Sequence, residues 1–156
     1  MTFEEFVASY GAHLLRLSYA LCGDRQRAED CVQEALEKVY VRWKKLDDPI
    51  PYARQVVLNA TRDTWRKFGR RERGIEHAPD SVLPDRTGQV DDRDALLRAL
   101  STLPHGQRAV LLLRFWEDLT EADTARALDC SVGTVKSQTH RGLQRLREAL
   151  PEGSRP

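Results

Sequence analysis

The sequence predicts an all-α fold of two small helical domains joined by a flexible linker, and three observations predict it. Apolar residues recur at intervals of three and four along most of the chain, with no run of strict alternation. One aperiodic stretch, residues 74–91 (GIEHAPDSVLPDRTGQVD), carries Gly74, Pro79, Pro84 and Gly88 and parts the periodic segments into two groups. Positive charge gathers on two islands, one in each group: residues 54–73 carry +5 and residues 131–156 carry +3 on a chain whose net charge is +1. Two such islands on a near-neutral chain imply two separate contacts with a polyanion. The expected boundaries are therefore 1–73 for the first domain, 74–91 for the linker, 92–150 for the second domain and 151–156 for a disordered tail.

The first helix is expected from Phe3 to about Leu21, with Phe6, Val7, Tyr10, Leu14, Leu17, Ala20 and Leu21 inward and Cys22-Gly23-Asp24 breaking the pattern. The second opens on Asp24 as cap and runs from Gln26 to about Trp43. It turns Ala28, Val32, Ala35, Leu36, Val39 and Trp43 inward and an acidic stripe of Glu29, Asp30, Gln33, Glu34 and Glu37 outward. Pro49 and Pro51 predict a loop over 46–51, because proline denies helix to its predecessor. A third helix is expected from Tyr52 to Glu72, with Ala53, Val56, Val57, Ala60, Thr64 and Phe68 inward. Its other side gathers Gln55, Asn59, Arg62, Asp63, Arg66, Lys67 and Arg70, a cationic ridge edged by Trp65 and Phe68. Cations can hold a nucleic-acid backbone while aromatic rings offer stacking surfaces to unpaired bases; a solvated basic helix end would read the same way.

Beyond the linker, Leu96, Leu97, Leu100 and Leu103 mark a helix closed by Pro104, and Gly106 to Trp116 mark another. Residues 115–147, FWEDLTEADTARALDCSVGTVKSQTHRGLQRLR, then hold two short helical patterns about four residues apart, the sequence form of a helix-turn-helix. Thr120 caps the first, with Ala125 and Leu128 packing on its partner. Ser131 caps the second, with Val132, Val135, Thr139, Leu143 and Leu146 inward. Thr134, Lys136, Ser137, Gln138, His140, Arg141 and Arg145 fall on the other side, hydrogen-bonding and cationic groups suited to base edges and phosphates.

Several function classes are excluded. No stretch approaches the roughly 20 apolar residues that a membrane span needs, and the MTFEEF start is acidic where a signal peptide is basic, so a cytoplasmic, soluble protein is expected. Cys22, Cys31 and Cys130 lack zinc or disulfide spacing and are expected as free thiols. His13, His77, His105 and His140 show no ligand spacing, and no nucleophile-base pair or Gly-rich phosphate loop is present. No catalytic residue, metal or cofactor is expected, and the chain is expected not to be an enzyme.

With both islands on helical halves, the sequence resembles the extracytoplasmic-function (group IV) sigma factors, promoter-recognition subunits of bacterial RNA polymerase. The run Arg27-Ala28-Glu29-Asp30-Cys31-Val32-Gln33-Glu34-Ala35-Leu36 is similar to the family's region 2.2, and Tyr52 to Arg71 to regions 2.3 and 2.4. Leu103 to Val110 together with Asp129 to Ser137 resembles region 4, and Leu119 to Ala125 leans toward the sigma-E-type subgroup. The resemblance implies that Asp30, Gln33 and Glu34 meet the clamp helices of the largest polymerase subunit, with the flap of the second-largest as a further partner. It implies that Asn59, Arg62, Asp63, Arg66 and Lys67, on the ridge that Gln55 and Arg70 complete, lie by the −10 element, the 46–51 loop holding an extracted base. Thr134, Lys136, Ser137, Gln138, His140 and Arg141 would face the −35 element of promoter DNA, and an anti-sigma protein is a further possible partner. The family commonly has Gly in the turn where this chain has Asp129, and Arg and an aliphatic residue where it has Gln138 and Thr139. The alternative reading is a helix-turn-helix regulator that binds an operator without polymerase.

Overall fold

The computed structural model describes residues 1–69 and 90–151, and every regular element among them is helical. The chain divides into two compact units, Met1–Ala78 and Pro79–Pro156.

In the first unit α1 (Phe3–Cys22), α2 (Arg25–Arg42) and α3 (Pro49–Thr64) pack pairwise into a three-helix bundle. Thr2 starts α1 with a capping box, its hydroxyl accepting from Glu5 N–H at 3.1 Å while the Glu5 carboxylate accepts from Thr2 N–H at 2.9 Å. Gly23 ends α1 in the left-handed region at φ 75°, and Asp24 then caps α2 by accepting from Arg27 N–H at 2.9 Å. The core is the expected set of Phe6, Leu14, Leu17, Ala20, Leu21, Ala28, Val32, Ala35, Val39, Ala53, Val56, Val57 and Ala60, joined by Ser18, Tyr19, Cys31, Leu58 and Thr61. Val7, Tyr10, Leu36, Trp43 and Thr64 are only half-buried. A buried hydrogen bond from Ser18 Oγ to the Ala28 carbonyl, 2.9 Å, fixes α1 on α2 where small side chains let them approach.

The expected loop over 46–51 is corrected. A 3-10 turn spans Trp43–Lys45, and α3 already begins at Pro49. Asp48 caps it, accepting from Ile50 N–H at 3.0 Å, and Pro49 and Pro51 both fall in the first turn, where amide groups have no helical partner to lose. The far end also differs: α3 gives way after Thr64 to a widened π-turn over Trp65–Gly69. Most of the expected linker and the tail from 152, like Arg70, lie outside the described residues.

The second unit contains α4 (Val90–Ser101), α5 (His105–Leu111, continued by a π-turn over Leu112–Trp116), α6 (Glu121–Leu128) and α7 (Val132–Ala149). Val110 of α5, Ala125 of α6 and Val135 of α7 form its centre, with Leu128 and Cys130 against them. Arg108 is 2% exposed, and its Nη2 donates to the Leu103 carbonyl at 2.9 Å and the Ser101 carbonyl at 3.2 Å. The guanidinium thereby occupies carbonyls that the end of α4 leaves open.

Candidate promoter and polymerase interfaces

The geometry of the helix-turn-helix comes from three local devices. Thr120 Oγ1 accepts from Asp123 N–H at 3.0 Å to start α6, and Ser131 Oγ accepts from Thr134 N–H at 3.0 Å to start α7. Between them Asp129 closes α6 in the left-handed region, φ 53° and ψ 53°, its N–H reaching back to the Ala125 and Arg126 carbonyls. The sharp reversal is made here without glycine, by an aspartate, which tolerates this region better than most residues. A second left-handed residue, Asp118 at φ 59°, turns the chain into α6, and the Arg114 guanidinium clasps the Leu119 carbonyl beside it. Nothing in the sequence around Asp118 signalled that turn.

On α7 the residues Thr134, Lys136, Ser137, His140 and Arg141 are all exposed. Gln138 differs. It is half-buried, its Oε1 is shielded from solvent, and its Nε2 lies 3.8 Å from the position a side chain would take at Gly106 of α5. Val132, expected inward, is 39% exposed. The whole first turn, Ser131 to Thr134, stands clear of the core, so the apolar face of α7 begins only at Val135. Further along, Gly142 is buried against α5: a Cβ there would sit 3.2 Å from Leu111 Cγ and Cδ1 and 3.5 Å from Gln107 Cβ. The absent side chain sets how closely the exposed row is held to its supporting helix.

In the first unit Asn59, Arg62, Asp63, Arg66 and Lys67 are exposed along α3 and its π-turn. Gln55 is half-buried and donates from Nε2 to Asn59 Oδ1 at 3.2 Å, pairing two amides on one face. On α2 Asp30, Gln33 and Glu34 are exposed. Glu34 pairs with Lys38 at 3.1 Å, Gln33 donates to Glu37 at 3.4 Å and Gln26 donates to Asp30 at 3.2 Å, all contacts within the helix surface. Exposed pairs of this kind contribute less than about 1 kcal/mol and yield readily to a partner.

Sequence reasoning missed the aromatic cluster at the end of α2. Phe3 lies edge-on to Tyr40 and Trp43, with centroids 5.1 and 5.7 Å apart, and Arg42 sits over the Tyr52 ring at 5.6 Å. Its partners come from α1, α2 and α3, and only Trp43 announces itself in the helical pattern.

Residues 6–71 match the family model for sigma-70 region 2, and residues 93–146 match that for sigma-70 region 4. The RNA polymerase sigma-E factor of Streptomyces coelicolor is 40% identical over 153 residues, a match covering 96% of this chain and 86% of that one. The chain belongs to the extracytoplasmic-function sigma factors. The sigma-E factor of Streptomyces avermitilis is 41% identical over 155 residues, covering 96% of this chain and 86% of its own. The ECF sigma factor SigW of Bacillus subtilis is 27% identical over 165 residues, covering 95% and 88%. Among solved structures, the sigma factor RpoE of Bartonella quintana, in complex with the anti-sigma factor NepR, shares the fold with a TM-score of 0.78 at 24% identity, over 94% of this chain and 95% of that one. As a sigma-E-type factor the protein associates with core RNA polymerase and directs it to promoters; the reading as an operator-binding regulator without polymerase is not favoured. No helix among the described residues is long and apolar enough to cross a membrane, and no His, Cys, Asp or Glu cluster among them could hold a metal ion.

Proposed function

We propose that this sigma factor divides promoter recognition between three surfaces. Thr134, Lys136, Ser137, His140 and Arg141 on α7 read the −35 element in the major groove, and Gln138 braces that helix against α5 more than it reaches for a base. Gln55, Asn59, Arg62, Asp63, Arg66 and Lys67, with Arg70 beyond them, hold the melted −10 strand. Asp30, Gln33 and Glu34 on α2 meet the clamp helices of the largest polymerase subunit, while the second unit meets the flap of the second-largest. The protein catalyses nothing itself and works in the cytoplasm, lending specificity to the polymerase that does the chemistry. Two weak DNA contacts carried by one chain act as one good one, because the second forms at a high effective concentration.

The observation that carries this reading is the exposed first turn of α7. A helix whose capped N-terminal turn stands clear of its own core, with cationic and hydroxyl side chains on the next two turns, has the shape a major groove admits. An anti-sigma protein that sequesters the chain belongs to the same proposal, supported by the complex in which the Bartonella quintana relative was solved. The test is binding of promoter DNA by the reconstituted holoenzyme across a salt series. Lys136→Ala or Arg141→Ala should cost about 1–3 kcal/mol with relaxed specificity at one −35 position if the side chain reads a base. A phosphate contact instead lowers the salt slope by about one. If both substitutions leave affinity, specificity and salt slope unchanged, α7 is not the −35 reader.

A further inference from the structure

The last residue of α2 and the 3-10 turn that follows it read Arg42-Trp43-Lys44-Lys45, three cations at the end of a helix whose exposed face is acidic. Trp43 is the fixed point of this turn. Its ring centroid lies 5.7 Å from that of Phe3 and 5.6 Å from that of Phe6, which is buried in the bundle core. With Trp43 drawn toward α1, its neighbours are left outside, and Arg42, Lys44 and Lys45 are all exposed. Neither lysine has an ion-pair partner among the described residues. Of the two carboxylates that follow in sequence, Asp47 is exposed and Asp48 is engaged in capping α3.

The turn is tied to α3 as well. The Arg42 guanidinium sits over the Tyr52 ring, 5.6 Å from its centroid, within cation–π range. Tyr52 begins a row on α3. Gln55 and Asn59 follow at intervals of three and four, so the three share one face, and the 3.2 Å hydrogen bond between the two amides runs along it. Arg62 and Arg66 continue the same spacing into the π-turn.

We propose that Arg42, Lys44 and Lys45 grip the phosphodiester backbone of promoter DNA where the strand leaves the Tyr52 end of this row. The inference rests on the reading of α3 as the holder of the melted −10 strand. A guanidinium lying flat on a ring keeps its N–H edge for a bidentate bond to phosphate, and the two ammonium groups beside it add point charges. An acidic protein surface laid on the turn would also approach Glu34 and Glu37, within about 12 Å along the same helix, and be repelled by them. A strand that follows the α3 row meets the cations first. One helix then serves two partners, its acidic row facing protein and its cationic end facing DNA.

The test uses holoenzyme reconstituted from core polymerase and the full chain, with a promoter fragment whose −10 segment is unpaired, and measures affinity across a salt series. Lys44→Gln combined with Lys45→Gln should weaken binding about tenfold at low salt and lower the salt slope by roughly one to two, with the melting temperature unchanged. Lys44→Arg combined with Lys45→Arg should keep the wild-type affinity and slope. Methylphosphonate substitution removes one phosphate charge at a time; it should weaken the wild type at one or two adjacent phosphates bordering the unpaired segment and have no effect there on the glutamine variant. The proposal is overturned if the glutamine variant matches the wild type, if its loss appears in association with core polymerase without DNA, or if every phosphate keeps its effect in the variant. Arg62→Ala combined with Arg66→Ala separates this inference from the reading beneath it. Weakening by that variant beside an unaffected glutamine variant sinks the inference alone, whereas an unaffected alanine variant sinks the reading of α3 and the inference with it.

Discussion

Replacing Asp129 tests the backbone on which the recognition helix turns. At φ 53° and ψ 53° this residue occupies the left-handed region, which costs an L-residue roughly 1–2 kcal/mol and aspartate the lower part of that range. Asp129→Gly removes the steric cost but adds about 0.5–1 kcal/mol of lost chain entropy, so the two terms nearly cancel and the variant should be neutral or slightly stabilised. Asp129→Val keeps the φ and adds a β-branched side chain, raising the cost by about 1–2 kcal/mol. For a unit of this size that is a fall of about 4–16 °C in melting temperature. Calorimetry of the full chain, with amide exchange at α6 and α7 to assign the transition, reads both variants. Clear destabilisation by glycine, or an unaffected valine variant, would show that the turn is not left-handed and that the account of the helix-turn-helix is wrong.

Three further outcomes follow from the packing. Gly142→Leu should destabilise the second unit by about 1–3 kcal/mol on denaturant unfolding, since the Cβ alone already meets Leu111 at 3.2 Å; an unchanged midpoint would contradict the close approach of α7 to α5. Arg108→Met fills most of the volume but frees the Ser101 and Leu103 carbonyls, and should cost about 1–3 kcal/mol, read as faster amide exchange at the end of α4. Hydrogen bonding to neighbouring side chains, the Cys22 side chain first and then the Thr64 hydroxyl, holds the Cys31 thiol at about 7 against burial, below the ordinary thiol value of 9.0. A depressed acid adds stability above its unfolded pKa and loses it as pH falls through the folded one. The stability difference between wild type and Cys31→Ser should therefore grow from about pH 7 to pH 9, and a flat difference would exclude the depressed Cys31 thiol.

Local periodicity made most of the fold legible, because a helix in a three-helix bundle must bury one stripe and the 3–4 spacing of Leu14, Leu17 and Leu21 or Val32, Ala35 and Val39 writes that stripe directly. Caps were equally readable at Asp24, Thr120 and Ser131, where one side chain satisfies a nearby amide. The errors arose where position within an element outweighs residue type. Pro49 and Pro51 break a helix interior but suit a first turn, and Val132 is apolar but lies ahead of the point where α7 meets its neighbours. Long-range juxtapositions stayed illegible: nothing local tells that Cys31 meets Thr64, that Gly142 lets α7 close on α5, or that Arg108 reaches back to α4. For the proposed interfaces, exposed cationic and acidic rows could be named from spacing, and Gln138 shows the limit, since only packing on Gly106 sets it apart from its neighbours.

Run-off transcription with core RNA polymerase, scored over a pool of genomic promoter fragments, tests the central claim most directly. Core alone should give no specific transcripts, and addition of this chain should produce defined start sites that vanish when the Asp30, Gln33 and Glu34 row is replaced by alanines in a protein that keeps its helical content. No specific initiation from any fragment, or initiation that survives loss of that row unchanged, would contradict the assignment of α2 as the polymerase-facing surface of this sigma factor.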